Sequence, residues 1–522
     1  MPMPHHQIAP FSLSRLLLAL ALLAFPTQAK PQTADPAQKT ANREPRTAAP
    51  LPIGSQLQLL LDPRLIASSS AIEHRLHTPV QQPRPKSPLI GHYATVIKDG
   101  PLYRAYYRGS DPTYKGKSYS GHPGEITCYA ESRDGHEWTF PKLGLFEVNG
   151  TRENNVILAH QPPYSTNFSP FLDTNPNVDP KERFKALAGH PGYDRQAKAT
   201  GRATGLAAFI SADGIHWQRR DNHDVIPYDP AWSHAFDSQN VSLWSEAEGQ
   251  YVCYFRTWCP NPAVKPEAPS QTHAEAGAKG TLRSISRTTS PDFRTWSPPI
   301  AMNPNLPGEH LYTSQTAPYF RAPHLYIATP TRYVAGHLGT EKTHSMLGST
   351  DILLMTTHAG TNTYDRPFTD AFIRPGIDPD RWQSRANYLA LNIIPTAPNE
   401  ISLYHARSGH RLTLRTDGFA SARATSKKGQ FITPPVTFTG TTLHLNLSTS
   451  AAGSITVELQ DPTGTPIAGF ALADCPPIVG DRIDHPVTWK SKPSLQHLAG
   501  KPIRLRFVMQ EADLFAFQFR KK

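Results

Sequence analysis

The chain has 522 residues, a formal net charge of +11 and 52 prolines. Without a 29-residue leader it keeps 522 − 29 = 493 residues, which is too long for one ordinary core and predicts two domains. Proline breaks helix interiors and central strands, and its content in this chain is about twice the average. The composition therefore favours short strands joined by many loops over long helices.

The chain begins with a pattern typical of a secretory signal. An apolar run at residues 16–25 lies between Arg15 and Ala29, and small residues suit signal peptidase at its end. The run is too short to span a bilayer, and a buried N-terminal helix is the alternative. We predict a cleaved signal peptide over residues 1–29 and a disordered, proline-rich linker over residues 30–52. The mature protein is expected to be secreted or periplasmic, monomeric and without a membrane anchor.

Three segments in the middle of the chain share the pattern Ser-x-Asp-x-x-x-Trp. They lie at residues 132–138, 211–217 and 290–296, and the tryptophans are evenly spaced, since 217 − 138 = 79 and 296 − 217 = 79. A weaker copy begins at Thr357. Even spacing predicts a repeat architecture, and Ser, Asp and Gly suit a tight turn. We interpret these motifs as structural and expect the three tryptophans to be buried at equivalent places.

Strand patterns surround these turns in five successive units. A hairpin is predicted at residues 93–107, and later strands at 184–210, 241–255, 317–328 and 388–404. Five units of about four strands predict a five-bladed β-propeller over residues 53–410.

The pattern changes after the fifth unit. Apolar and polar residues then alternate in short runs such as 443–447 and 455–459, which predicts a β-sandwich over residues 411–522. The predicted fold class is all-β.

Cysteine, histidine and glycine patterns bear on partners and cofactors. Cys128, Cys253, Cys259 and Cys475 are too few and scattered for a disulfide scaffold, although a Cys253–Cys259 bridge stays open beside free buried thiols. We find no His-Glu-x-x-His, Cys-x-x-Cys, phosphate-loop or nucleic-acid motif, so we expect no cofactor, no metal and no nucleic-acid partner. The positive charge suits an acidic or sulfated glycan, whereas a diffuse charge that only aids solubility is the alternative.

The segments at residues 128–138, 236–241 and 374–376 resemble exported bacterial proteins described as glycoside hydrolase family 32-like. Those proteins are similar to the five-bladed propeller superfamily of invertases, fructanases and arabinanases, whose propeller is also followed by a sandwich. The resemblance covers about residues 53–522. It implies a glycosidase, an O-glycosyl hydrolase of carbohydrate metabolism that acts on an extracellular poly- or oligosaccharide.

Two alternatives come from departures from this pattern. The Asn-Asp-Pro-Asn-Gly, Arg-Asp-Pro and Glu-Cys motifs of invertases are missing, which favours a non-catalytic propeller that binds glycan or protein. Sialidases carry repeated Asp boxes, but their box has one more residue between Asp and Trp. A sialidase-like enzyme would also need an arginine triad and a tyrosine nucleophile, for which the sequence has no clear pattern.

Glycoside hydrolysis needs an acid for the leaving oxygen and a second carboxylate as base or nucleophile. The resemblance implies that these carboxylates lie in the central funnel, near the starts of the inner strands. The catalytic candidates are Asp173, Asp237 and Glu309, which open the second, third and fourth units. Asp237 is the first choice because it heads a buried strand with other polar groups, although acids are also common in turns. The substrate-binding candidates are Glu125, Gln239, Asn240, Arg385 and Glu400.

Overall fold

The computed structural model describes residues 49–116, 124–190, 204–232, 235–261, 280–335, 337, 348–378, 381–382, 387–491 and 494–521. The predicted signal peptide and most of the predicted linker lie outside these residues. Within them, regular structure is β-strand apart from short 3₁₀ turns, and no helix is long and apolar enough to cross a membrane. The turns are Pro63–Leu65, Pro180–Glu182, Leu472–Asp474 and Leu495–Leu498.

Five short strands open the described chain, and all of them pair with strands that come much later. They are β1 (Leu51–Gly54), β2 (Gln58–Leu59), β3 (Ser68–Ser70), β4 (Glu73–Leu76) and β5 (Val80–Gln81).

Three four-stranded antiparallel sheets then follow one another along the chain. The first contains β6 (His92–Asp99), β7 (Leu102–Ser110), β8 (Glu125–Ser132) and β9 (Val156–Leu158). The second contains β10 (Ser169–Leu172), β11 (Phe184–Ala188), β12 (Ala207–Ser211) and β13 (Gln218–Arg219). The third contains β14 (Val241–Ser245), β15 (Gln250–Pro260), β16 (Thr281–Ser290) and β17 (Ile300–Ala301).

The fourth unit consists of two three-stranded sheets, because each of its three long strands is interrupted. One sheet has β18 (Glu309–Leu311), β21 (Thr331–Ala335) and β22 (Gly348–Ile352), and the other has β19 (Thr316–Tyr319), β20 (Ala322–Ala328) and β23 (Met355–His358). The fifth sheet has β24 (Ile394–Ala397), β25 (Glu400–His405) and β26 (His410–Arg415), and β5 pairs with β26 as its outer strand. An N-terminal strand thus completes the last unit.

Apolar clusters fill every junction between neighbouring units, which shows that the five units form a closed ring. Each cluster draws large buried side chains from two successive units. Representative pairs are Val96 and Tyr404, Tyr106 and Phe209, Leu187 and Phe255, Tyr254 and Tyr326, and Leu325 and Leu403. The ring is a five-bladed β-propeller, so the predicted fold class is confirmed.

A β-sandwich packs beside the propeller. Its strands are β27 (Ala420–Ala424), β28 (Gly429–Ile432), β29 (Val436–Phe438), β30 (Thr442–Gln460), β31 (Asp481–Pro486) and β32 (Arg504–Arg520). The long strands β30 and β32 pair over residues 442–449 and 454–460 of β30, with register shifts between Asn446 and Leu447 and between Thr449 and Ser454. Phe431, Leu443 and Phe507 belong to the core between the layers.

The N-terminal strands complete the sandwich as well as the propeller. Strand β3 pairs with β28, β4 with β27, β2 with β32 and β1 with β29. Residues Pro50–Lys522 form one compact unit, and the predicted division at residues 410 and 411 stays a prediction. Strand β26, which begins at that border, pairs inside the fifth propeller sheet.

Cys253 and Cys259 both lie in β15, and all four cysteines are buried, free thiols. The bridge that the sequence left open is therefore absent from the described residues.

The three Ser-x-Asp motifs form the same turn after the third strand of the first three sheets. In the first, Asp134 accepts hydrogen bonds from the backbone N–H groups of His136 and Glu137 at 2.7 and 3.0 Å. Each turn packs against the preceding unit of the ring. In the first turn, the hydroxyl of Tyr404 from the fifth unit donates a hydrogen bond to the Gly135 carbonyl at 2.9 Å. The structural interpretation of these motifs agrees with this packing.

The prediction that all three motif tryptophans are buried is only partly right. Trp138 is 3% exposed, whereas Trp217 and Trp296 are only partly buried. In the third turn, Phe293 takes the place of the glycine with a φ of 61° and fills the junction against Phe171. Trp296 packs edge-on against Phe293, with the ring centroids 5.6 Å apart.

Candidate functional site

Three tyrosines meet at the end of the ring where the inner strands begin, which we call the upper face. The rings of Tyr93 and Tyr388 stack with centroids 4.8 Å apart, and the Tyr93 hydroxyl lies 3.4 Å from that of Tyr312. These residues come from the first, fifth and fourth units, so the tyrosine cluster exists only in the closed ring.

Arginine side chains surround this tyrosine cluster. The Arg108 guanidinium lies 4.7 Å from the centre of the Tyr93 ring, and the Arg256 and Arg283 guanidinium groups lie 5.1 and 5.6 Å from that of Tyr312. Such distances allow cation–π attraction, which strengthens where water is excluded. The upper face is therefore both aromatic and cationic.

Asp237 lies beside this cluster on the loop that leads into β14. Its carboxylate forms an ion pair with Arg256 and lies 3.2 Å from Nε2 of His190, and its side chain is 38% exposed. Burial alone would raise the pKa of Asp237, but Arg256, His190 and Arg283 together hold that pKa well below its usual range. An ionised carboxylate that reaches solvent can accept a proton or stabilise positive charge, but it cannot serve as an acid.

Glu125, at the start of β8, supports the cluster from below. Its carboxylate forms an ion pair with Arg108 at 2.9 Å and accepts a hydrogen bond from the Thr166 hydroxyl at 2.5 Å. The side chain is only 6% exposed. Arg108 also donates to Asn167 at 3.2 Å. Glu125 therefore fixes the guanidinium that covers Tyr93.

Two buried glutamines hydrogen-bond between units next to the tyrosines and form what we call the glutamine floor. The side-chain amide of Gln239 donates to the Tyr93 and Ala94 carbonyls at 3.0 and 3.2 Å, which connects the third unit to the first. That of Gln315 donates to the Leu389 carbonyl and connects the fourth unit to the fifth.

Asn240 is fully buried beside the floor and donates to the Phe236 carbonyl at 3.3 Å. The predicted substrate-binding residues Gln239 and Asn240 thus shape the bottom of the funnel.

Asp173 lies at the opposite end of its blade. It follows β10, whereas Asp237 precedes β14, and the inner strands of neighbouring blades run in the same direction around the ring. Its carboxylate binds Lys185 at 2.6 Å and the Tyr251 hydroxyl at 2.8 Å. Both charged side chains are almost fully buried, at 2% and 0% exposure. This is a structural ion pair within the second blade, and the Tyr251 hydroxyl connects it to the third.

Two other candidate acids are also held in ion pairs away from the tyrosines. Glu309 pairs with Arg366 at 2.9 Å, and Glu400 pairs with Arg411 at 2.7 Å. Arg385 lies outside the described residues. The structure therefore brings Asp237, Glu125, Gln239 and Asn240 to the upper face, and it does not bring the three catalytic candidates together.

The sequence analysis missed the tyrosines and arginines of this site. One signal could have found them: Arg108 and Arg256 lie within strands that otherwise read as aromatic and β-branched. A charged residue in a buried strand must be paired or functional. The described residues contain no group of three or more His, Cys, Asp or Glu side chains that could hold a metal ion.

Comparisons with known proteins were made for the whole chain. No family model matches it, and no curated protein matches it significantly. Among solved structures it is similar to a glycoside hydrolase family 43 arabinoxylan arabinofuranohydrolase from Bacillus subtilis in complex with cellotetraose. The identity is 12%, the match covers 83% of this chain and 96% of that chain, and the TM-score is 0.36.

It is also similar to an α-L-arabinofuranosidase from Clostridium thermocellum. The identity is 9%, the match covers 60% of this chain and 80% of that chain, and the TM-score is 0.33. A protein of unknown function from Dyadobacter fermentans is 12% identical, with 86% of this chain and 99% of that chain covered and a TM-score of 0.32. At this level of similarity neither a shared family nor a shared activity follows.

Proposed function

We propose that this protein is an exported glycoside hydrolase that acts on an extracellular poly- or oligosaccharide at the upper face of its propeller. The observation that carries the proposal is Asp237, a partly exposed carboxylate held ionised by Arg256 and His190 beside an aromatic funnel. Tyr93 and Tyr388 are only 5% and 4% exposed, so Tyr312, which is partly exposed, is the ring of the cluster that would contact a sugar. An aromatic ring with a hydroxyl suits a sugar, which has apolar C–H faces and many hydroxyl groups.

The proposed chemistry follows from the charge of Asp237. Glycosidic cleavage passes through an oxocarbenium-like transition state, in which positive charge develops at the anomeric carbon. The Asp237 carboxylate would stabilise that charge while the bond from the anomeric carbon to the leaving oxygen breaks, and water would add to the anomeric carbon and lose its proton to solvent. Protonation of the leaving oxygen requires a second acid, and Glu125, which is ion-paired with Arg108, would serve only in a protonated form released from that pair.

The arginines support an anionic substrate within this proposal. Arg108 is 22% exposed at its side chain, and guanidinium groups bind carboxylate and sulfate in bidentate geometry. A glycan that bears uronate or sulfate groups is therefore the favoured substrate class.

A second candidate function is glycan binding without catalysis. It is favoured because Glu125 is buried and ion-paired while Asp173 and Glu309 lie elsewhere. Of the described candidates only Asp237 and Glu400 have partly exposed carboxylates, and Glu400 pairs with Arg411, so Asp237 has no second exposed carboxylate beside it among the candidates. A sialidase-like enzyme has less support, because the Tyr93 hydroxyl contacts Tyr312 and not a carboxylate, and burial raises the pKa of Tyr93.

The test is a screen of purified protein on neutral, uronate-bearing and sulfated glycans, with release of reducing ends as the readout. We expect Asp237→Asn to abolish turnover in the folded protein and also to lower the melting temperature, because Arg256 is 3% exposed and loses its counter-charge. Asp229→Asn, which replaces an exposed acid of the same loop, should leave turnover unchanged. Wild-type turnover in Asp237→Asn would refute the assignment. Binding without turnover in the wild type would establish the second candidate function. Comparison of Glu125→Gln with Asp237→Asn tests Glu125 as the second group.

A further inference from the structure

The turn between β25 and β26 brings basic side chains to the upper face. Strand β25 ends at that face because it is antiparallel to β24, the inner strand of the fifth unit, and residues 406–409 connect it to β26. Arg407 is exposed in this turn, and His410 follows it at the start of β26. Arg84 lies over Gly409, with its Nε 3.0 Å from the place that a Cβ atom would take. Three basic side chains thus surround one turn of the fifth unit.

Arg381 also lies at this end of the fifth unit, and it has little counter-charge. Its Nη1 is 4.0 Å from the place that a Cβ atom of Gly376 would take. The side chain is partly buried, and no acceptor in the described part of the chain takes a hydrogen bond from its guanidinium. Burial lowers the pKa of Arg381, and the charge of Asp378 offsets this only in part. Burial acts in the same direction on Arg256, but the charge of Asp237 outweighs it and raises that pKa.

The positive charge of the turn reaches the tyrosine cluster. Nδ1 of His92 lies 2.9 Å from the Tyr388 hydroxyl. Burial, followed by the charges of Arg108 and Arg407, lowers the pKa of His92 to about 4. Both guanidinium groups therefore act on the same ring, Arg108 from the first unit and Arg407 from the fifth. Positive charge thus extends across the upper face from one unit to the other.

We call the four basic residues of the fifth unit the cationic rim: Arg84, Arg381, Arg407 and His410. We propose that the cationic rim binds an acidic group of the glycan while Arg108 binds another, so that the substrate carries uronate or sulfate groups on at least two sugar units. The inference rests on the proposed function, since it extends the glycan site of the upper face. Guanidinium groups bind carboxylate and sulfate in bidentate geometry, and such an anion would supply the counter-charge that Arg381 lacks.

The test is titration calorimetry on the full-length protein, with product analysis to confirm that each ligand stays intact. The probes are tetragalacturonate, a sulfated galactan tetrasaccharide, neutral galactotetraose and tetraglutamate. We expect at least one acidic tetrasaccharide to bind at least tenfold more tightly than galactotetraose, and the two acidic probes distinguish uronate from sulfate. Tighter binding of tetraglutamate than of both acidic tetrasaccharides would overturn the proposal, because the cationic rim would then suit an acidic peptide.

Three variants locate the binding within the cationic rim. Arg381→Gln should weaken binding of the acidic tetrasaccharide about tenfold, the usual value of one hydrogen bond to a charged group. Its melting temperature should stay the same or rise, because a partly buried cation with little counter-charge is removed. Arg84→Gln and Arg407→Gln should each weaken binding about two- to fivefold, since exposed ion pairs are weaker. The control is Arg133→Gln, an exposed arginine of the first Ser-x-Asp turn at the opposite end of the ring, which should bind like the wild type.

The outcomes separate this inference from the proposed function. Equal affinity for neutral and acidic tetrasaccharides, or unchanged binding in Arg381→Gln/Arg407→Gln, would overturn the cationic rim even if the protein cleaves glycans. Rim-dependent binding without turnover would support the cationic rim and contradict hydrolysis. A clear loss of melting temperature in Arg381→Gln would remove Arg381 from the site, because its role would then be structural. Arg84 and Arg407 are exposed, so their variants decide the matter if Arg381→Gln does not fold.

Discussion

The buried pair of Asp173 and Lys185 gives the sharpest prediction on stability. Their charged atoms lie 2.6 Å apart with side chains 0% and 2% exposed, and Asp173 also accepts from the Tyr251 hydroxyl at 2.8 Å. Asp173→Asn would leave the buried Lys185 ammonium with the Glu182 carboxylate alone, which lies 3.5 Å away and is 21% exposed. Removal of one partner from a buried pair costs about 3–5 kcal/mol. Because Glu182 remains, we expect a loss in the free energy of unfolding of about 3 kcal/mol, at the lower end of that range.

The assay is urea denaturation followed by intrinsic fluorescence. The double variant Asp173→Leu/Lys185→Met is the matched control, because it removes both charges, and it should recover most of the loss since apolar replacement of a buried pair is often neutral. The Asp229→Asn midpoint should stay near the wild type, because Asp229 is exposed. If Asp173→Asn unfolds at the wild-type midpoint but loses glycan turnover, Asp173 belongs to the active site and does not act as a structural ion pair.

Three other predictions concern packing and pH. Trp138→Ala should lose about 3–5 kcal/mol of stability and Trp217→Ala clearly less, because only Trp138 is fully buried; equal losses in urea denaturation would contradict this. Phe293→Gly should be about 1 kcal/mol more stable than Phe293→Ala, because glycine adopts a φ of 61° without strain. Urea denaturation of the two variants tests this, and a less stable glycine variant would contradict it. Burial, followed by the charges of Arg381 and His410, lowers the pKa of His405 from 6.5 to about 3. Between pH 3 and pH 6.5 His405 is therefore protonated in the unfolded chain and neutral in the folded protein. Stability should therefore fall as pH drops below about 6.5, by at most about 1.4 kcal/mol per pH unit from this group. In thermal melts between about pH 4 and 7, His405→Gln should make this pH dependence of stability weaker. An unchanged pH dependence would exclude His405 as its cause.

The sequence predicted the ring because its evidence was local. The Asp turns and the hairpin at residues 93–107 depend on a few neighbouring residues, and the five successive units of strand patterns predicted the number of blades. The outer strand of the fifth sheet was not predictable in this way, since Val80 pairs with Thr413 across most of the chain. Only the three-dimensional pairing reveals that link.

The site was predicted less well because the position of an acid depends on strand ends. Asp173 was assigned to the start of an inner strand, but β10 is only four residues long and has already ended at Leu172. Because the strand is this short, Asp173 lies at its end and therefore at the opposite face of the ring. Glu309 was placed at a strand start correctly, but its carboxylate is neutralised by Arg366, which lies 57 residues later.

The N-terminal strands also have a consequence for the order of folding. Gln82 donates to Thr413 at 2.8 Å across a sequence separation of 331 residues, so the loop that closes the ring is very long. Closing such a loop carries an entropic cost before any contact rewards it, and contacts of long range slow folding. During synthesis from the N-terminus, residues 51–81 must wait unpaired until both the fifth blade and the sandwich have emerged. A chaperone that shields these strands would therefore raise the yield of native protein without binding any later part of the chain.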